Sequence, residues 1–207
     1  MREFLYLGVH TLKSKQGINS GFNLFIISEA FFFAGFIYSY FYSALAPTIY
    51  LGATWPPVGI EALDPWGIPF LNTVILLTSG STATYAHNAL LANRRNDALL
   101  GLFLTIILAW TFTGLQVYEY YEAPFTLADS VYGGVFFSTV SLHGAHVVIG
   151  TLFLMVAYYR LSKFHFSASS HIGLETALVY WHFVDRNMII CVYILLYLGC
   201  LKCFCYG

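Results

Sequence analysis

The sequence predicts an all-α membrane protein, a polytopic bundle of five transmembrane helices. Of its 207 residues 58% are hydrophobic and 9% are charged, whereas charged residues make up about a quarter of an ordinary globular chain. The mean hydropathy is +0.70, and aromatic residues reach 19%, as expected where rings line helix contacts and both membrane interfaces. These three observations exclude a soluble domain.

Five apolar stretches predict the spans. The first, Gly21 to Ala46, contains 26 residues, and about 20 suffice to cross a hydrocarbon core as a helix. The other four are predicted within Pro69–Leu91, at residues 98–118, within residues 130–159, and from about Gly173 to Leu201. The span that begins near Gly173 is the least apolar of the five. The chain is therefore divided into a surface lead-in, residues 1–20, and a five-helix transmembrane domain, residues 21–207.

The charged residues predict the orientation in the membrane. Seven of the nine basic residues fall on the side of the N-terminus, in the lead-in, the second-to-third turn and the fourth-to-fifth loop: Arg2, Lys13, Lys15, Arg94, Arg95, Arg160 and Lys163. The two opposite loops hold Glu61, Asp64, Glu119, Glu122 and Asp129, and no Lys or Arg. Because positive charge is retained on the inner side, the N-terminal face is predicted to be the matrix or cytoplasmic side.

Net charge and cysteine usage exclude other classes. A net charge of -1 gives no basic patch for nucleic acid. The four cysteines, Cys191, Cys200, Cys203 and Cys205, lie in the last 17 residues, so we predict no disulfide framework. The last three resemble half a metal site without its second half, which favours helix-end cysteines that face lipid or a partner.

Glu29 is the one ionisable residue of the first span. A carboxyl group this deep in a membrane is expensive, so it should face protein or trapped water rather than lipid. An intramembrane acid is a functional candidate, and a neutral acid that only fixes helix packing is the alternative. The span alone leaves both open.

His143 and His146 are three residues apart on the fourth span and so share a helix face. Such a pair could ligate a metal or a haem, but no Asp, Glu or Cys lies near them in the chain to complete a closed site. Small neighbours such as Gly144 and Ala145 favour close helix packing, in which the histidines form polar contacts between helices. We therefore predict no metal in this chain.

A second polar set lies on the fifth span, at Glu175, His182, Asp185 and Arg186. Its spacing predicts one stripe that faces the bundle, and the stripe is equally compatible with a proton or ion relay and with a static polar network. Arg186 would lie near the middle of the bilayer, so another helix should supply a counter-charge or carbonyl groups.

Long motifs in this chain closely resemble subunit III of mitochondrial cytochrome c oxidase, and the resemblance extends from Arg2 to Asp185. They include LFIISEAFFFAGFIYSYFYSALAP, WPPVGI, LNTVILLTSG, LQVYEYYEAPFT, DSVYGGVFFSTVSLHGAHVVIGTLFL, KFHF and YWHFVD. The resemblance implies a multi-pass inner-membrane subunit without haem or copper, packed on subunit I of an oxidase whose redox centres lie in partner subunits I and II. Cytochrome c would be met only through that complex, with the N-terminus in the matrix and the C-terminus in the intermembrane space.

The resemblance also implies roles for individual residues. Subunit III supports proton uptake into subunit I, protects the catalytic centre during turnover and holds structural phospholipids in a cleft between two helix groups. Glu29 matches the intramembrane glutamate beside that cleft. Arg160 and His165 match positions near lipid headgroups on the matrix side, and Lys163 is a weaker candidate because it is merely nearby and basic.

Two features differ from the family pattern. Mitochondrial members carry two more helices before the stretch that matches Arg2, so we expect a separate polypeptide or an accessory subunit to supply them beside the first span. After Asp185 this chain reads RNMIICVYILLYLGCLKCFCYG, where the family is rich in apolar residues and tryptophan. The alternatives are subunit III of a quinol oxidase, which has five helices, and a proton or ion transporter, although no span contains the internal Pro or the repeat common in transporters.

Overall fold

The structure is a computed structural model that describes residues 12–47, 49, 52–60, 63–64, 66–166 and 171–197. Within these residues it contains helices and no strand. The predictions for Arg2, Glu61, Cys200, Cys203 and Cys205 lie outside the described residues. The helices are α1 (Leu12–Leu45), α2 (Ile68–Leu91), α3 (Arg95–Glu122), α4 (Val131–Ser162) and α5 (Ile172–Cys191), the last continued by a π-helical segment at Val192–Tyr197.

Local sequence accounts for several helix ends. Pro69 lies in the first turn of α2, where a missing N–H costs nothing. Ser130 caps α4, since its hydroxyl oxygen accepts hydrogen bonds from the backbone N–H groups of Tyr132 and Gly133 at 3.1 and 3.4 Å. Asn93 has a φ of +58° and reverses the chain between α2 and α3. Helix α1 is already formed at Leu12, so it runs through the described part of the predicted lead-in.

Three helices, α1, α3 and α4, are long and apolar enough to cross a membrane by length and composition. The other two are shorter and carry more polar residues. Some of these residues are buried, such as Asn72 and Ser79 on α2 and Asp185 on α5. Their polar atoms thus lie inside the bundle, where other helices can satisfy them.

Four of the helices form a closed ring in which α2 packs on α3, α3 on α4, α4 on α5 and α5 on α2. Trp181 of α5 lies at the centre with no exposed surface and donates its indole N–H to the Ser79 hydroxyl of α2 at 3.0 Å. Helix α1 lies outside the ring and packs on α4 and α5. Among the residues that the structure describes, one side of α1 has no protein neighbour.

Contacts near the helix ends define the two ends of the bundle. At one end the Arg95 guanidinium donates hydrogen bonds to the backbone carbonyls of Leu161 and Ser162 at 2.7 and 2.6 Å. Two of the predicted basic segments therefore lie together. At the other end, Trp55 of the α1–α2 loop packs against Tyr132 of α4 with ring centroids 5.5 Å apart.

Candidate functional site

Glu29 and His146 meet where α1 packs on α4. The carboxyl Oε2 of Glu29 lies 2.8 Å from His146 Nε2, and the two side chains are 22% and 10% exposed. The other ring nitrogen, Nδ1, lies 2.8 Å from the backbone carbonyl of Leu142. The acid predicted for the first span thus faces protein, and its partner is one of the two histidines of the fourth.

The hydrogen bonds determine how many protons the Glu29–His146 pair holds. A carbonyl oxygen can only accept, so His146 Nδ1 carries a hydrogen and donates it to Leu142. The contact between His146 Nε2 and Glu29 then requires one further proton, bound either to the carboxyl group or to the imidazole. Both arrangements have zero net charge, which suits a partly buried pair in a membrane.

Aromatic rings enclose His146 on both sides. The ring of Phe33 from α1 lies 5.1 Å away between centroids, and that of Tyr180 from α5 lies 6.4 Å away in a stacked orientation. Phe33 is 2% exposed and Tyr180 is 1% exposed. Three helices thus hold the imidazole, and α1 is attached to the ring at this point.

His143 lies one turn before His146 on α4 but points elsewhere. It is 1% exposed, and its Nε2 lies 3.2 Å from the Val184 carbonyl of α5. The two histidines therefore contact different helices and do not converge on one site. Among the described residues no group of three or more His, Cys, Asp or Glu side chains could hold a metal ion.

Glu119 is a buried acid that the sequence reasoning assigned to a loop. It lies in the last turn of α3 and is 5% exposed. Its carboxyl accepts hydrogen bonds from the side-chain amides of Asn72 on α2, at 3.4 Å, and of Gln116, at 3.3 Å. The spacing of Gln116 and Glu119, which puts them on one helix face, was the available signal.

The predicted stripe on α5 divides into two parts. His182 and Asp185 form a pair with Nδ1 and Oδ2 4.0 Å apart, and the Asp185 carboxyl packs against Gly80 of α2. Glu175 and Arg186 are exposed, so the prediction of a single inward stripe needs correction for both. Arg186 directly follows the buried Asp185, and successive helical residues lie about 100° apart, so the two side chains point in different directions. Glu175 lies in the first turn of α5, where an acid is favourable.

The basic end contains the three residues predicted to lie near lipid headgroups. The Arg160 guanidinium lies 4.6 Å from the ring centroid of Phe166, and Arg160 Nη1 would be 2.8 Å from a Cβ at Gly173. Lys163 is the C-cap residue that follows α4, and the backbone N–H of His165 donates to the Arg160 carbonyl at 3.0 Å. Next to Arg160 lies an open groove of about 470 Å³, lined also by Phe22, Phe153, Val156, Ala157, Gly173, Thr176 and Ala177.

Comparison with known proteins assigns the family. Residues 1–200 match the family model described as Cytochrome c oxidase subunit III. The chain belongs to the cytochrome c oxidase subunit III family. Proteins called cytochrome c oxidase subunit 3 are similar to it: that of Prototheca wickerhamii is 50% identical over 196 residues, 93% of this chain and 75% of the relative.

Two further relatives with the same name come from distant organisms. The Patiria pectinifera protein is 52% identical over 185 residues, 89% of this chain and 71% of its own length. That of Rhizopus stolonifer is 52% identical over 184 residues, 89% of this chain and 65% of its own length. The matched region of the subunit III family includes all five helices, and therefore the Glu29–His146 pair and the basic end.

Proposed function

We propose that the chain is a non-catalytic core subunit of mitochondrial cytochrome c oxidase, respiratory complex IV. It resides in the inner membrane with its N-terminus in the matrix and its C-terminus in the intermembrane space. There it supports electron transfer from cytochrome c to dioxygen, coupled to proton pumping, by stabilising subunit I, proton uptake and bound lipid. The observation that carries this proposal is the family match over residues 1–200.

In this proposal the haem and copper belong to partner subunits I and II. The hydrogen bonds of the two histidines support this view. His143 bonds to α5 and His146 bonds to α1, so the two imidazoles do not converge as ligands of one metal. The test is metal and haem analysis of the purified complex, together with identification of its other chains. A subunit with a copper-A centre should co-purify; a complex that lacks it and oxidises quinol would instead identify a quinol oxidase.

The groove beside Arg160 supports lipid binding. Its lining is mostly apolar, with the guanidinium of Arg160 among the lining groups. This combination suits the acyl chain and the phosphate of a phospholipid, because arginine offers a planar set of donors to phosphate oxygens. We assign the groove to a structural phospholipid, with His165 and Lys163 near its headgroup.

The Glu29–His146 pair has a supporting role in this proposal. It fastens α1 to the ring, and α1 contributes Phe22 to the groove. Loss of the pair would therefore alter lipid retention and durability during turnover rather than the initial rate of oxygen reduction. An immediate and complete loss of oxidase activity in an assembled Glu29→Ala complex would contradict this role.

The outer side of α1 is proposed to face a partner. Large apolar side chains there are widely exposed, among them Leu24 at 67%, Phe31 at 74% and Tyr38 at 70%. We propose that a helical partner subunit packs on this side and encloses lipid with it. A photoreactive residue at Phe31 should crosslink to that chain, and one at the buried Phe33 should not; crosslinks to lipid alone would contradict the proposal.

A further inference from the structure

A small cavity lies inside the ring, near the end of α3. Its volume is about 20 Å³, and three polar side chains line it, those of Gln116, Glu119 and His143. The rest of the lining is mostly apolar: Pro69, Phe136, Val140, Met188, Cys191 and Val192. A cavity of this kind needs roughly 10–15 Å³ to hold one water molecule, and the water needs two to four polar partners.

One ring nitrogen of His143 can accept a hydrogen bond and has no donor among the described residues. Its Nε2 donates a hydrogen to the Val184 carbonyl at 3.2 Å, since a carbonyl can only accept. In the neutral imidazole the other nitrogen, Nδ1, then carries a lone pair. That atom is buried and has no hydrogen-bond partner among the described residues.

Gln116 presents a second acceptor. Its amide nitrogen donates to the Glu119 carboxyl at 3.3 Å, which leaves the amide oxygen, Oε1, buried and without a partner in the described part of the chain. Gln116 is 6% exposed and Glu119 is 5% exposed. A buried acceptor without a hydrogen-bond partner destabilises the fold, so both acceptors require a donor.

We propose that this cavity is a binding site for a single water molecule. The water donates one hydrogen to His143 Nδ1 and the other to Gln116 Oε1. A molecule with two donors and the size of water matches two bare acceptors in a cavity of about 20 Å³. The water completes a polar connection between all four helices of the ring, from Asn72 on α2 through Glu119 and Gln116 on α3 to His143 on α4 and the Val184 carbonyl on α5.

The direct test is a density map of the intact oxidase at a resolution that shows ordered water elsewhere in the membrane domain. The expected result is one peak within hydrogen-bond distance of both His143 Nδ1 and Gln116 Oε1. A cavity without density would overturn the proposal. So would a peak at the shorter distances of a bound cation, coordinated by the Glu119 carboxylate.

A mutant cycle supplies an independent test in the purified oxidase. Val140→Ile adds a methyl group to the cavity wall and should expel the water, so the temperature at which this subunit unfolds should fall by a few degrees. In a His143→Phe, Gln116→Leu background the two acceptors proposed to bind the water are absent, and Val140→Ile should leave that temperature unchanged or raise it. Val148→Ile adds the same group to the exposed side of α4 as a control. Equal shifts from Val140→Ile in the two backgrounds would refute the water site.

Discussion

Single side chains hold this bundle together through contacts between helices. Glu29 and His146 share one proton across the boundary of α1 and α4, at 2.8 Å, and Trp181 donates to Ser79 across the ring. In hydrocarbon such groups have no water to replace a lost partner. Removing both members of a pair should therefore cost less than the sum of removing each one alone.

The Glu29–His146 pair allows this to be measured. Glu29→Leu and His146→Leu should each destabilise the subunit by about 1–3 kcal/mol, because each leaves the other, partly buried polar group without its hydrogen-bond partner. The double variant should lose less than the sum of the two single changes. The measurement is the thermal release of this subunit from the purified oxidase. Additive losses would indicate that the contact contributes nothing of its own.

Arg160 and Gly173 test the lipid groove from two sides. Arg160→Gln should lower the amount of tightly bound phospholipid, because the amide cannot replace a charged donor to phosphate. Gly173→Ala should have the same effect by displacing Arg160 Nη1, which lies 2.8 Å from the position of the new methyl group. Lipid mass spectrometry of the purified complex is the measurement. Gly144→Ala, where nothing lies within 4 Å, is the control.

At this scale the sequence predicted the acid but not its whole environment. Glu29 was identifiable because it is alone in an apolar span, and surroundings of protein or trapped water rather than lipid followed from the cost of burying it. Glu119 was missed because charged residues served as markers of span ends, and α3 continues past them to Glu122. Which acid meets which histidine depends on helix rotation, and sequence spacing does not give that.

The sequence predicted where the helices lie along the chain, but it did not predict which helices pack against each other. The third span was predicted at residues 98–118 and the helix is Arg95–Glu122, since a helix can extend beyond the hydrocarbon core. The pairing of α2 with α3 depends on close contacts such as that of Gly101 with Ala86. Such contacts become visible only once the helices are placed.

Gly101 should be essential for the packing of α2 on α3. A Cβ at this position would lie 2.9 Å from Ala86 Cβ and 3.1 Å from the backbone oxygen of Thr82, so Gly101→Ala must push the two helices apart. We expect a loss of about 1–3 kcal/mol, as for other overpacked contacts. Gly114→Ala on the same helix meets nothing within 4 Å and should be neutral. Equal thermal stability of the two variants would contradict the packing argument.

The end of α4 depends on Arg95. Its guanidinium donates to the carbonyls of Leu161 and Ser162 and lies 3.3 Å from the centroid of the Phe164 ring. Arg95→Gln should destabilise the subunit by about 1.5–3 kcal/mol, the range for hydrogen bonds to charged groups. The adjacent Arg94 has a 64% exposed side chain and bridges Asp97 at 3.4 Å, so Arg94→Gln should cost at most about 1 kcal/mol. Thermal unfolding of both variants decides whether α4 relies on this contact.

The molecule as a whole has two chemically different ends. The end with Arg95 and Arg160 is basic, and the end with Trp55 and Tyr132 is aromatic. This asymmetry follows from the distribution of charge along the sequence, and it supports a single orientation in the membrane. The position of α1 outside the ring could not be inferred in the same way, because the composition of a span does not say which other helices it packs against.

Labelling from each side of the membrane tests the orientation. In a background without the three C-terminal cysteines, Asp97→Cys should react with an impermeant thiol reagent only in inverted inner-membrane vesicles. Leu127→Cys, at a position 61% exposed in the α3–α4 loop, should react only in mitoplasts. The two sites serve as controls for each other, and the reverse pattern would place the N-terminus outside the matrix.

The neutral Glu29–His146 pair has an electrical consequence. A whole charge that crosses the membrane gains or loses about 2.3 kcal/mol per 100 mV. A proton passing between Glu29 and His146 moves less than 2.8 Å, about a tenth of a core of roughly 30 Å, so the field changes its energy by about 0.2 kcal/mol per 100 mV at most. The attachment of α1 to the ring should therefore be the same in an energised and in a discharged mitochondrion.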